Sequence, residues 1–424
     1  MNPNYKRTRL ACYSAYFTMS SIFILPPLLF TTFLAEPYNV PYTLLGTLVL
    51  TNFCTQMLVD LLFSLFAKKF NAALLVRLTP LITSLGLVVY ALVPTFWPQY
   101  AYAGLLAGTV IFSIASGLSE VMLSPTIAAL PSDNPQRDMS MLHSLYAFGI
   151  LFVIVVCTVF FALFGSQNWM YMTLFFAALP IIAAVLFMFS PMPDLQKGAE
   201  QEKKARSGKR TLGLALCVAC IFFGSCAENT MSNWISGYME NALQIPKEVG
   251  DLVGMAAFAV LLGLTRIAYA KFGKNIFRML TVGMIGAALC YLVVVFSPIP
   301  APALIACVLT GIFTSMLWPG ALIMMEENVT AVGVAAYALM ASGGDLGASV
   351  APQLMGIVTD AVKESELGAR LAEQLSQGQF TFSAEQIGLK AGMLVCSIFP
   401  ILGIAVLLLT IHFFKKCKKE GTVL

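Results

Sequence analysis

Residues 191–210 read PMPDLQKGAEQEKKARSGKR, the longest clearly polar stretch in the middle of a very apolar chain. They hold six bases, Lys197, Lys203, Lys204, Arg206, Lys209 and Arg210, and almost nothing that could anchor a core. Such a segment cannot recover the entropy lost on ordering by burying apolar surface, so it stays in water. Residues 1–190 precede it and 211–424 follow, and each flank reads as six long apolar segments. The stretch is therefore expected to be a cytosolic linker between an N-terminal and a C-terminal six-helix bundle.

Composition agrees. The chain is 58% hydrophobic and 11% charged over 424 residues, against roughly 25% charged in a soluble domain. Mean hydropathy is +0.82. Repeated apolar runs of about 20 residues are what membrane-spanning helices require. The net charge of +4 sits in short basic clusters between apolar runs, as membrane topology demands and a nucleic-acid surface does not. The ten cysteines fall mostly inside apolar segments without metal or haem spacing, which makes them small buried thiols.

In chain order, Leu10 to Leu34 is too long for the core of a secretory signal and reads as a retained first span. Further spans are expected near residues 42–66, 72–93, 100–125, 140–164 and 169–190. After the linker come 211–237, 249–270, 276–296, 302–325, 330–362 and 387–414. The fold class expected is thus an all-α membrane protein of twelve transmembrane helices in two pseudo-symmetric bundles. Segment 363–386 is the largest loop on the far side, with a pattern too weak to assign a helix.

Basic residues decide the orientation. With both ends on one side, that side receives Lys6, Arg7, Arg9, Lys68, Lys69, Arg77, Arg137, the linker bases, Lys271, Lys274, Arg278 and Lys415 to Lys419. Only Lys247, Lys363, Arg370 and Lys390 fall opposite. The positive-inside rule places both termini in the cytosol of a cell-membrane protein.

The halves echo one another. Gly117 precedes Pro125 within GLSEVMLSP, and Gly311 precedes Pro319 at the same spacing within GIFTSMLWP. Lys69-Phe70-Asn71 matches Lys271-Phe272-Gly273 at the corresponding turn. Six plus six helices repeated across a polar loop is a common plan of secondary transporters.

On these features the chain resembles the major facilitator superfamily over its whole length. The short turn after the second and eighth spans, usually Gly-x-x-x-Asp-x-x-Gly-Arg in that family, is degenerate here: SLFAKKFN at 64–71 and RIAYAKFGK at 266–274. Within the superfamily it is similar to the fucose permease and fucose-galactose-hexose group. The residues carrying that likeness are Glu228 to Trp234 (ENTMSNW), Trp318-Pro319-Gly320, Gly343-Gly344 and Pro352. The resemblance implies sugar transport by alternating access, often with a proton.

Polar groups in the apolar layer are costly and usually face a cavity or a partner. Glu228, Asn229, Ser232, Asn233 and Trp234 offer acceptors, donors and a flat ring, as a hydroxyl-rich solute needs. An interhelical hydrogen bond is the alternative for Glu228, and an interface belt for Trp234. Trp318, before a Pro-Gly kink, is a further candidate for stacking on substrate or for core packing.

Glu120, Asp345 and His143 are candidates for proton coupling. Structural pairing is open for the two acids, and helix capping for His143. Arg266 is expected to pair with an acid and hold a gate. No catalytic or metal-ligating set and no nucleotide-binding loop appears, and neither enzyme activity nor a cofactor is expected.

The leading expectation is uptake of a monosaccharide or related polar solute with protons, the protein acting as a monomer in the lipid bilayer. Sodium-coupled sugar symport is a rival, because a buried carboxylate with nearby carbonyls can ligate that ion. Efflux of drugs or other amphipathic solutes against protons is the reading from another class, and the polar cluster at 228–234 argues against it. A non-transporting sensor would need an output segment that the short linker and tail do not supply.

Overall fold

The computed structural model describes residues 5–29, 32–33, 37–38, 42–66, 69–193, 208–245, 250–330, 332–376 and 382–420, and every regular element among them is a helix. Most of the linker read from the sequence, 194–207, lies outside the described residues. Packing groups the chain into two compact units, Met1–Arg206 with Ala331–Ser342, and Ser207–Thr330 with Gly343–Leu424.

The first unit contains α1 (Lys6–Leu28), α2 (Tyr42–Phe66), α3 (Ala72–Phe96), α4 (Ala101–Ala128), α5 (Pro135–Phe164) and α6 (Trp169–Met188). Asn71 caps α3 by accepting from the Leu74 N–H at 3.1 Å, and Asn134 caps α5 through Arg137 N–H at 3.0 Å. Both supply the side-chain oxygen that an open helix start lacks. Basic and hydroxyl groups close several opposite ends. The Thr8 hydroxyl donates to Pro191 O at 2.6 Å, Arg77 to Ser190 O at 3.2 Å, and Arg9 to Pro131 O at 3.0 Å. Arg9 also pairs with Asp138 at 3.0 Å. Carbonyls beyond α4 and α6 that have no helical partner thereby gain one.

The second unit contains α7 (Gly208–Asn241), a π turn at Gly250–Met255, α8 (Ala256–Phe272), α9 (Ile276–Phe296), α10 (Pro300–Thr314) and α11 (Leu317–Asn328). Then follow α12 (Val334–Lys363), α13 (Glu366–Leu375), α14 (Ala384–Cys396) and α15 (Ile398–Lys419). The first turns of α12 belong to the Ala331–Ser342 part of the other unit. Arg210 at the start of α7 donates to Thr330 O at 3.1 Å, the counterpart of Arg9 on Pro131 in the first half.

Nine described helices are long and apolar enough to cross a membrane, with α10–α11 and α14–α15 each taken as one span. Adding α1, α2 and α12 gives the twelve traverses expected. The expected span at 302–325 is interrupted at Ser315–Met316, whereas α12 runs unbroken through Pro352. Close packing of α14 on α12 uses Gly388 and Gly392. A Cβ at Gly388 would lie 2.5 Å from Thr359 O, and one at Gly392 would lie 2.9 Å from Met355 O. In lipid, where no hydrophobic force drives helices together, such close backbone approach is a main source of association.

Candidate functional site

The site in the second unit begins with a proline. Pro319 has no N–H to give to the carbonyl four residues back, so Ser315 O loses its helical partner. The helix breaks there, with Met316 at φ −96° and ψ 0°, and resumes with the Gly320 N–H on Met316 O at 2.8 Å. Arg266 of α8 takes the vacated position: its Nε donates to Ser315 O at 2.7 Å. Its Nη2 reaches both carboxylate oxygens of Glu228 on α7, at 3.1 and 3.3 Å. Arg266 is 2% exposed and the Glu228 side chain 14% exposed, so the pair sits almost wholly out of solvent. Arg266 pairs with an acid as its chemistry suggests, and that acid is Glu228.

The other polar residues of the candidate cluster on α7 bond within α7 or to α12. Asn229 donates to Ser225 Oγ at 3.0 Å and to Ser225 O at 3.2 Å. Ser232 donates to Asn229 O at 3.3 Å, and the exposed Asn233 donates to the same oxygen at 2.8 Å. Their hydroxyl and amide N–H groups are thus partly used within α7. The Trp234 indole donates to Pro352 O of α12 at 3.0 Å, which places that ring against α12. Trp318 covers Gly344 of α12 so closely that a Cβ there would collide with its ring. Asp345, next along α12, is 5% exposed.

In the first unit, a polar ladder that sequence reasoning missed joins α2 to α4. Gln56 donates to Asn52 Oδ1 at 2.9 Å, Ser113 donates to the same oxygen at 2.6 Å, and Ser116 donates to Gln56 Oε1 at 2.9 Å. Gln56, Ser113 and Ser116 are fully buried. Gly117 permits the approach, since a Cβ there would sit 2.9 Å from Val59 Cβ and 3.2 Å from Gln56 Cα. The pattern was present as Asn52, Gln56 and Asp60 at four-residue steps, facing Ser113, Ser116 and Glu120. One rung further, carboxylate oxygens of Asp60 and Glu120 lie within 4.8 Å of one another. Asp60 is fully buried.

Gln56→Leu should strand the Ser116 hydroxyl and remove a donor from Asn52. Hydrogen bonds between membrane helices average about 0.6 kcal/mol and reach about 1.7. We expect a loss of about 1–2 kcal/mol, read as a lower thermal midpoint of the detergent-solubilised protein.

His143 is 3% exposed and lies between Tyr16 of α1, whose hydroxyl is 2.9 Å from Nδ1, and Ser124 of α4, whose hydroxyl is 3.4 Å from Nε2. The cap of α5 is Asn134, so His143 has no capping part. It ties α1, α4 and α5 together through a ring that can both donate and accept.

The comparisons with known proteins follow the same lines. A model of the Major Facilitator Superfamily matches residues 11–361. No curated protein sequence matches. Among solved structures, the transporter FucP in its outward conformation is similar over 97% of this chain and 99% of its own, at TM-score 0.72 and 14% identity. The N162A form of the Escherichia coli fucose:proton symporter FucP gives TM-score 0.69 at 14% identity, with the same coverage of 97% and 99%. The proton:xylose symporter XylE bound to 6-bromo-6-deoxy-D-glucose gives TM-score 0.74 at 12% identity over 94% of each chain. Identities this low speak for the fold, and the family match over most of the sequence speaks for descent: the chain belongs to the Major Facilitator Superfamily.

Proposed function

We propose that this transporter imports a monosaccharide or a related small polyol by alternating access, in company with a proton. Membership of the superfamily makes it a secondary transporter and not an enzyme. The observation that carries the finer reading is Glu228: a carboxylate held by Arg266 at 3.1 Å, still 14% exposed, on the helix that also carries Asn229, Ser232 and Asn233. A fixed acceptor with Ser232 four residues on along its own helix face, and two amides further round the helix, supplies hydrogen-bonding groups suited to sugar hydroxyls. The similar structures, a fucose:proton symporter and a proton:xylose symporter, support the same class.

The proton carrier in this reading is the Asp60–Glu120 pair. What supports it is their placement, a fully buried carboxyl on α2 with a second on α4, an oxygen of each lying within 4.8 Å of the other. Asp345 and His143 remain its competitors. The basic residues gathered near both ends of the chain support cytosolic termini in a cell membrane.

Counterflow of radiolabelled hexoses, deoxyhexoses and polyols in proteoliposomes, with and without a pH gradient, tests the proposal. Exchange of at least one sugar, and its accumulation when the outside is acidic, is the expected result. Movement of a lipophilic cation with no sugar exchange would overturn the substrate class, and accumulation driven only by sodium would overturn the coupling ion. Glu120→Gln should abolish proton-driven accumulation yet leave sugar exchange within about threefold, because exchange needs no net proton movement.

A further inference from the structure

The helix α13 lies in the segment that the sequence left unassigned, and its faces are unequal. Ser365 caps it by accepting from the Gly368 N–H at 3.0 Å. Leu367, Leu371 and Leu375, at four-residue steps, form one apolar stripe, while Glu366, Arg370 and Glu373 share another arc. The helix is docked along the edge of that stripe. Gly368 and Ala372 are buried, and Gly368 approaches the Val362 carbonyl too closely to admit a Cβ. Even so, Leu367 remains 61% exposed and Leu375 55% exposed.

Connectivity says what covers those leucines. α12 ends at Lys363 and α13 begins at Glu366, so two residues separate it from one span; eight residues, 376–383, separate it from the next. At about 3.3–3.6 Å per residue the first link keeps α13 close to the end of α12. The two flanking helices also expose apolar side chains, among them Ile357 at 56% on α12 and Leu394 at 42% on α14. The Arg370–Glu366 pair, 73% and 89% exposed, lies on the charged arc.

We propose that α13 is an interfacial helix, seated in the lipid–water boundary with Leu367 and Leu375 inserted among the acyl chains and Glu366, Arg370 and Glu373 toward the aqueous side. A short helix with an apolar stripe and a charged arc settles in that plane. The occupant of the exposed stripe is then lipid. This inference needs only the membrane-embedded fold and is independent of the substrate.

A nitroxide label placed by Leu367→Cys, Leu375→Cys or Glu373→Cys, in protein reconstituted into phosphatidylcholine vesicles, tests it. Cys54 is the exposed thiol among ten and is first replaced by Cys54→Ser, leaving nine buried ones. Collision rates with oxygen, which concentrates in lipid, and with a nickel chelate, which stays in water, are then compared. Labels at 367 and 375 should favour oxygen, and the label at 373 should favour nickel. Nickel preference at 367 and 375 would put the helix in water and overturn the proposal. Low rates with both probes would mean that a protein surface, such as a second copy, covers the stripe, and would overturn it too. Because each label is read separately, failure of one variant to fold leaves the other leucine to decide.

Discussion

Arg266→Met is expected to lower the stability of the protein by about 3–5 kcal/mol, the usual cost of leaving one member of a buried ion pair without the other. The guanidinium joins three helices: α8, which carries it, α7 through Glu228, and the α10–α11 break through Ser315 O at 2.7 Å. Removing it leaves the Glu228 carboxylate in a site only 14% exposed and returns the Ser315 carbonyl to having no helical donor. Both losses fall on groups that water reaches poorly, so neither is repaired cheaply. The double variant Arg266→Met with Glu228→Met removes both charges and should recover most of the lost stability, since hydrophobic replacements of buried pairs are often neutral. The two proteins would then differ sharply in thermal midpoint while both fail to exchange sugar. If Arg266→Met melts with the unaltered protein, the pair is not what joins these helices.

Much of this was legible in the sequence, for a physical reason. The hydrocarbon layer permits few backbone arrangements, so a long apolar run is nearly a complete instruction. The Gly117/Pro125 and Gly311/Pro319 echo also has a structural counterpart. Gly117 meets Val59 of α2, and Gly311 meets Phe258 of α8, whose carbonyl would be 2.5 Å from an added Cβ. The echo ends at the prolines. α4 remains helical through Pro125, while α10 stops before Pro319 and α11 starts anew. No sequence count separates these outcomes, because they depend on whether a cation from another helix can take up the freed carbonyl.

The site was less legible than the fold. Cost alone marked Glu228 and Arg266 as residues that need an explanation, yet it could not say that each explains the other, since they stand 38 positions apart on two helices. The ladder of Asn52, Gln56, Ser113 and Ser116 was overlooked because each member is uncharged and individually inexpensive. Its four-residue spacing on α2 becomes meaningful only when a matching row on α4 stands opposite. Helix α13 shows the reverse difficulty: its leucines read as scattered among mixed charges, because ten residues are too few for periodicity to overcome the neighbouring loop composition.

Pro319→Ala should hold or raise stability while cutting transport. An alanine at 319 supplies the N–H that Ser315 O lacks and lets Met316 relax from ψ 0° toward the helical value near −42°. Proline inside a helix costs about 3 kcal/mol relative to alanine, so the thermal midpoint should hold or rise. Straightening the break turns α11 relative to α10, however, and Trp318 sits on the first turn of α11 with its ring against Gly344. The ring must leave that contact, and the Ser315 carbonyl must swing toward the helix axis and away from Arg266. A hydrogen bond from a charged donor is worth about 1.5–3 kcal/mol. Losing it at the group that holds Glu228 should slow sugar exchange at least about tenfold, a barrier change of about 1.4 kcal/mol. Unchanged exchange in a protein that melts higher would show that the break is ordinary proline damage tolerated by a membrane helix. Slower exchange with a raised midpoint would show that the break is kept because Arg266 needs the carbonyl it exposes.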